Sequence, residues 1–187
     1  MKRTVAIAAI AGLSLGGLVA LAWYQWSSHV RDGEAEAPRR PVWVEVQWPF
    51  PMDEWGKGKA FRCEAANCGV EVSVYVRAKI GFCNCTTGVA DDEELARVAD
   101  LRLMGERPSA LAAGSPITVA WMKGRSRAYA TQRPQSSAFA IAFNDRCDVV
   151  VATAIVAHPR SAPLEPSVVA FLGSETVIRW AEVTLGL

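Results

Sequence analysis

The sequence predicts an α+β fold: one domain with a mainly antiparallel sheet and packed helices, set behind an N-terminal transmembrane helix. Three observations predict it. Residues 70–82 alternate without interruption, with Val70, Val72, Val74, Val76, Ala78, Ile80 and Phe82 on one side and Glu71, Ser73, Tyr75, Arg77, Lys79 and Gly81 on the other. That period of two is the signature of a β-strand with unlike faces. Residues 137–156 then read as a hairpin of two central strands, turned at Asn144-Asp145-Arg146. Helical spacing of apolar residues returns only near the C-terminus, where Val177, Ile178, Ala181 and Leu185 share a face with Trp180 beside it. Hairpins followed by helices, with no internal repeat, give an antiparallel sheet carrying helices.

Residues 1–26 open with Lys2 and Arg3, and from Thr4 to Trp26 no residue is charged. The run exceeds the roughly 20 residues that a bilayer-spanning helix needs. Trp23, Tyr24 and Trp26 stand where an aromatic belt would meet the outer interface. Residues 1–26 are therefore expected to be a transmembrane signal anchor, with a signal peptide cleaved after Ala22 as the rival reading. Either places the remainder outside the cytoplasmic membrane. The expected location is the cell inner membrane, single-pass, with the C-terminal domain on the extracytoplasmic, periplasmic side. Residues 27–41 are polar and aperiodic and read as a linker. Residues 42–187 are expected to form one extracytoplasmic domain, a length sufficient for an ordinary core.

Within it, Val42, Val44, Val46 and Trp48 alternate with Trp43, Glu45 and Gln47, predicting a strand over 42–48. The stretch from Trp48 to Phe61, rich in Pro, Gly and aromatics, reads as a structured loop. Its rings either cap the core or stand as anchors for a protein partner, which makes Trp48, Phe50 and Trp55 the interaction candidates. Asp91 to Glu94 suit the positive end of a helix running to about residue 100; the Asp-x-Asp pattern of a calcium loop is absent there. Residues 105–116 read as loop, 117–122 as a strand, Lys123-Gly124-Arg125-Ser126 as a turn, and 127–131 as a short strand. Lys123, Arg125, Arg127 and Arg133 form a basic cluster that reads as a solvated hairpin tip. The Ala138, Ala140 and Ala142 face lets a helix approach the sheet closely, and the apolar run of residues 149–157 implies cover on both sheet faces. Pro166 suits a first helical position, Gly173 a break, and Ser174 an N-cap.

The disulfide candidates are Cys63, Cys68, Cys83, Cys85 and Cys147. The four-and-one spacing of the first four is a poor match to paired zinc knuckles. A strand over residues 70–80 would span roughly 33–36 Å at its ordinary rise. Cys68 and Cys83 would then sit at opposite ends, beyond the roughly 7 Å Cα separation that a disulfide tolerates. A local Cys63–Cys68 staple is expected, with Cys83 or Cys85 bonded to each other or to Cys147. Five cysteines leave at least one outside intramolecular pairing.

The formal net charge is +1, an excess that Lys2 and Arg3 supply, so no nucleic-acid partner is expected. There is no Gly-x-Ser-x-Gly elbow, phosphate-binding glycine loop or His-Glu-x-x-His motif. The two histidines, His29 in the linker and His158 before Pro159, do not assemble a catalytic pattern, and no cofactor is expected. The functional expectation is a membrane-anchored extracytoplasmic protein, a disulfide-stapled interaction or assembly domain. It would meet the membrane through its N-terminal helix and a membrane or periplasmic protein as partner. The alternative is a thiol-dependent metal-binding or redox protein using Cys83 and Cys85.

Overall fold

The computed structural model describes residues 41–81, 85–132, 136–157 and 164–187. The predicted anchor and nearly all of the linker lie outside them, as do Cys83, Arg133 and His158. Among the described residues no helix is long and apolar enough to cross a membrane. They all belong to one unit that begins at residue 39.

The sheet is antiparallel at every pairing. Its strands are β1 (Val44–Val46), β2 (Lys59–Cys63), β3 (Val72–Lys79), β4 (Ser109–Ala110), β5 (Ser115–Val119), β6 (Met122–Ala130), β7 (Ser136–Asp145) and β8 (Asp148–Ala157). Their order is β1-β2-β3-β8-β7-β6-β4, with β5 also paired to β6. The helices are α1 (Ala65–Cys68), α2 (Asp92–Val98), α3 (Glu165–Leu172) and α4 (Glu175–Leu185), and a 3-10 turn spans Leu101–Met104. A mainly antiparallel sheet with a few helices is thus observed.

The alternation in β3 sorts its side chains to two faces. Val72, Val74 and Val76 join Phe61, Ile141, Phe143 and Val150 beneath Val168, Phe171 and Leu172 of α3 and Val177 and Ala181 of α4. On the opposite face Ala138, Ala140 and Ala142 pack with Leu95 and Val98 of α2 and Met104 of the 3-10 turn. Side chains ending at Cβ let α2 lie close to the sheet. The sheet is therefore covered on both faces, and β8 is buried along most of its length.

Several expectations are corrected. The first strand is confined to Val44–Val46. The supposed loop up to Phe61 closes with β2, which pairs with β3 from Lys59↔Val76 to Cys63↔Val72. Ile80 lies past the end of β3 and is 64% exposed. The hairpin turn falls at Ala120-Trp121, with Ala120 at φ 52°, and not at Lys123–Ser126. Gly124 is a strand residue because of space: a Cβ there would lie 2.1 Å from the Ala142 carbonyl oxygen. A glycine inside a strand marks close backbone approach as readily as a turn. Ser174 does occupy the N-cap of α4, but its hydroxyl makes no capping bond and lies buried without a partner.

The antiparallel pairing of β3 with β8 also explains the cysteines. Cys63 and Cys68 flank the link between β2 and β3 and are bonded to each other. Lys79 lies opposite Val149, so the chain leaving β3 runs beside the turn between β7 and β8. Gly81, at φ 64°, donates its N–H to Asp148 Oδ1 at 2.7 Å. Cys85 is bonded to Cys147 in that turn.

Candidate functional site

The valines of β3 turn inward toward α3 and α4, so Tyr75, Arg77 and Lys79 must occupy the other face. Arg77 and Lys79 are buried there, two cations on a central strand. Burying an ionised group is expensive unless it is paired and hydrogen-bonded. Two segments do the pairing. The loop from Trp48 to Gly58 crosses beside β3 just before β2 begins at Lys59. A Cβ on Gly58 would lie 2.1 Å from the Val76 carbonyl oxygen and 2.8 Å from the Trp48 ring, so only glycine lets the loop settle this closely. From it, both carboxylate oxygens of Asp53 accept from one terminal nitrogen of Arg77, at 2.8 and 2.7 Å. The second segment follows α2. Lys79 Nζ donates to the Val98 carbonyl at 2.7 Å and meets Asp100 Oδ1 at 2.8 Å. This places an ammonium at the negative end of the helix. Arg77 Nε lies 3.5 Å from Asp100 Oδ2 without a hydrogen bond.

Aromatic rings complete the arrangement. Trp48 lies 5.0 Å from the Arg77 guanidinium, and Trp55 lies 5.5 Å from Lys79 Nζ. Trp48 and Phe50 both meet Tyr75 edge-on, at 6.0 and 4.8 Å between ring centres. All three nominated aromatics are half-buried. The Trp48 indole N–H is buried without a partner.

A groove runs between this loop and the 3-10 turn. Its larger lobe, about 640 Å³, is lined by Asp53, Trp55, Arg77, Lys79, Asp100 and Arg102. A smaller lobe of about 270 Å³ contains Phe50, Met104 and Ile155, and Arg102 and Leu103 line both. The larger lobe is charged and within the usual size of ligand sites; the smaller sets Thr131 and Gln132 beside its apolar side chains. Arg102 has no ion-pair partner among the described residues.

The other nominated charges are used internally. Asp91 caps α2 by accepting from the Glu94 N–H at 2.8 Å, and Glu94 pairs with Arg97. Asp92 accepts from the Gly114 N–H and bridges Arg125 and Arg127. The basic cluster read as a solvated tip is therefore divided: Lys123 is exposed, while Arg125 and Arg127 clasp Asp92 and nearby carbonyls. Cys85 does not stand as a thiol, because the β3–β8 register delivers its sulfur to Cys147; its proposed metal partner Cys83 lies outside the described residues. Among the described residues no group of three or more His, Cys, Asp or Glu is placed to hold a metal ion.

Sequence reasoning missed Arg77, Lys79, Asp53 and Asp100 as a unit. The available signal was two cations at alternate positions on a strand whose neighbour, β8, is apolar on both faces. Compared with known protein families and with curated proteins, the sequence matches none.

Two carboxyls of these clusters are held below the usual carboxylate range. Arg77 does so for Asp53, with help from the Trp55 N–H. The Gly114 N–H and then Arg125 do so for Asp92. Each therefore binds a proton less readily folded than unfolded. The stability they lend is complete above the unfolded value of about 3.9 and is lost as pH falls through the lower folded value. The urea midpoint is expected to hold steady from about pH 7 to 5 and to fall below about pH 4. An Asp92→Asn variant should show a shallower fall, and an unchanged slope in that variant would remove Asp92 from the account.

Proposed function

We propose that this chain is a membrane-tethered, extracytoplasmic binding domain whose working surface is the groove between the Trp48–Gly58 loop and the 3-10 turn. The observation that carries the reading is the burial of Arg77 and Lys79 in the floor of an open, aromatic-rimmed cleft. A buried ion-pair cluster is weak support for stability, since well-packed apolar residues of similar volume often serve as well. Charged groups fixed in a concave site are how a binding surface is pre-organised. The tether is proposed from the uncharged run between Thr4 and Trp26, and the compartment from that run together with two intramolecular disulfides. Fixed cations and aromatic rings around an open groove are the features that favour recognition as the reading.

The test is site-specific photocrosslinking in intact cells. A photoreactive residue at position 55, in the groove, should yield a discrete adduct in the membrane fraction. The same residue at exposed position 71, beside the β2–β3 link, should not. Equal adducts from both positions, or none from position 55, would count against the groove as the binding face.

A further inference from the structure

We infer that the groove receives an aspartate or glutamate side chain from an extended segment of a partner polypeptide, and that Asp53 is its internal stand-in. The inference rests on the groove being the binding surface and adds the chemistry of what it takes. Arg77 is the receptor. Its side chain is 3% exposed, yet the carboxylate that holds it belongs to a loop residue that is 48% exposed. A buried cation gripped by a solvent-facing acid on a loop is an exchangeable pair: the acid can swing into water while the cation stays fixed by the strand. The bonds to Asp53 use one terminal nitrogen of Arg77, and its Nε makes none. A guanidinium presents its donors in a fork that matches a carboxylate; the Nε edge of Arg77 faces Asp100, so an incoming acid would take over the terminal nitrogen that Asp53 now holds.

Two further observations specify the partner. Arg102 adds an exposed cation without an ion-pair partner among the described residues at the junction of the two lobes, while Glu54 lines the far part of the larger lobe; the pull on an incoming acid is therefore local to Arg102 and Arg77. The apolar part of the adjoining lobe, at Phe50, Met104 and Ile155, suits an apolar side chain next to the acid, and Thr131 and Gln132 beside it can meet the backbone that carries it; a polypeptide supplies both and a free anion neither.

The experiment is an NMR titration of the full chain in detergent micelles, following the arginine Nε–H and tryptophan indole signals. The probe is a capped pentapeptide with glutamate two positions before leucine. The controls are the same peptide with glutamine in place of glutamate, and inorganic phosphate. The glutamate peptide should give saturable shifts at the Arg77 and Trp48 signals. Asp53→Asn, which keeps the loop's shape and removes the competing charge, should tighten its binding about tenfold, the order expected for relieving one charge-assisted contact. Arg102→Gln, a change at an exposed rim, should weaken it. Equal binding of the glutamine peptide, equal binding of phosphate, or no gain in Asp53→Asn would overturn the inference. If the glutamate peptide fails while crosslinking from position 55 persists, the acid specificity falls and the groove stands as a binding surface. Failure of both removes the two readings together.

Discussion

Replacing Asp100 with alanine is expected to cost the domain about 3–5 kcal/mol, the range for leaving buried charges without their partner. Asp100 is only 13% exposed and faces two buried cations, Lys79 at 2.8 Å and Arg77 at 3.5 Å. Removing it takes from Lys79 the carboxylate at 2.8 Å, while the bond to the Val98 carbonyl and the contact with the Trp55 face stay. For a domain of this size, each kcal/mol lowers the thermal midpoint by roughly 2–4 °C. A loss below about 1 kcal/mol in urea unfolding would show that solvent already satisfies the cluster. The companion experiment replaces the three buried members with apolar residues, Arg77→Met, Lys79→Met and Asp100→Leu, and leaves the half-exposed Asp53 in place. That change should be close to neutral in stability, because the cost of burying the charges disappears with them. It should nonetheless abolish the crosslink from position 55. Stability kept and binding lost is the pattern expected of a cluster retained for recognition.

The second large effect belongs to the disulfides, and they should not be equal. Cys85–Cys147 closes a separation of 62 residues and Cys63–Cys68 one of 5. In the chain-entropy description the longer loop is worth about 4 kcal/mol and the shorter about 2 kcal/mol. The double variant Cys85→Ser/Cys147→Ser should therefore lose roughly twice the stability of Cys63→Ser/Cys68→Ser in urea unfolding. The reverse order would mean that the local bond holds something beyond its own loop, such as the register of β2 on β3.

What was legible in the chain was whatever depends on near neighbours. The valines of β3 declare their shared face by spacing alone. The alanines at 138, 140 and 142 announce a close helix, and α2 fills that place. Cys63 and Cys68 are too near each other, and too far from Cys85, for much choice. What was hidden depends on residues far apart in sequence. Asp53 and Arg77 are 24 residues apart, and Asp92 and Arg125 are 33; their pairing follows from the sheet order, which no local pattern records. β2 was lost because Gly56, Lys57 and Gly58 precede it and the glycines read as loop. The need for Gly58 lies in the Val76 carbonyl and the Trp48 ring across the sheet.

The sheet order also has a consequence in time. Synthesis makes β3 when only β2 is available to pair with it, and its other edge belongs to β8, which begins at residue 148. Until then the nascent chain carries an unpaired, valine-rich strand, the kind of edge that recruits strands from other molecules. Arg77 and Lys79 sit on that strand. Charges on an open edge are a common means of discouraging such pairing. The two cations buried in the finished domain are thus also charges on the strand edge that waits for β8.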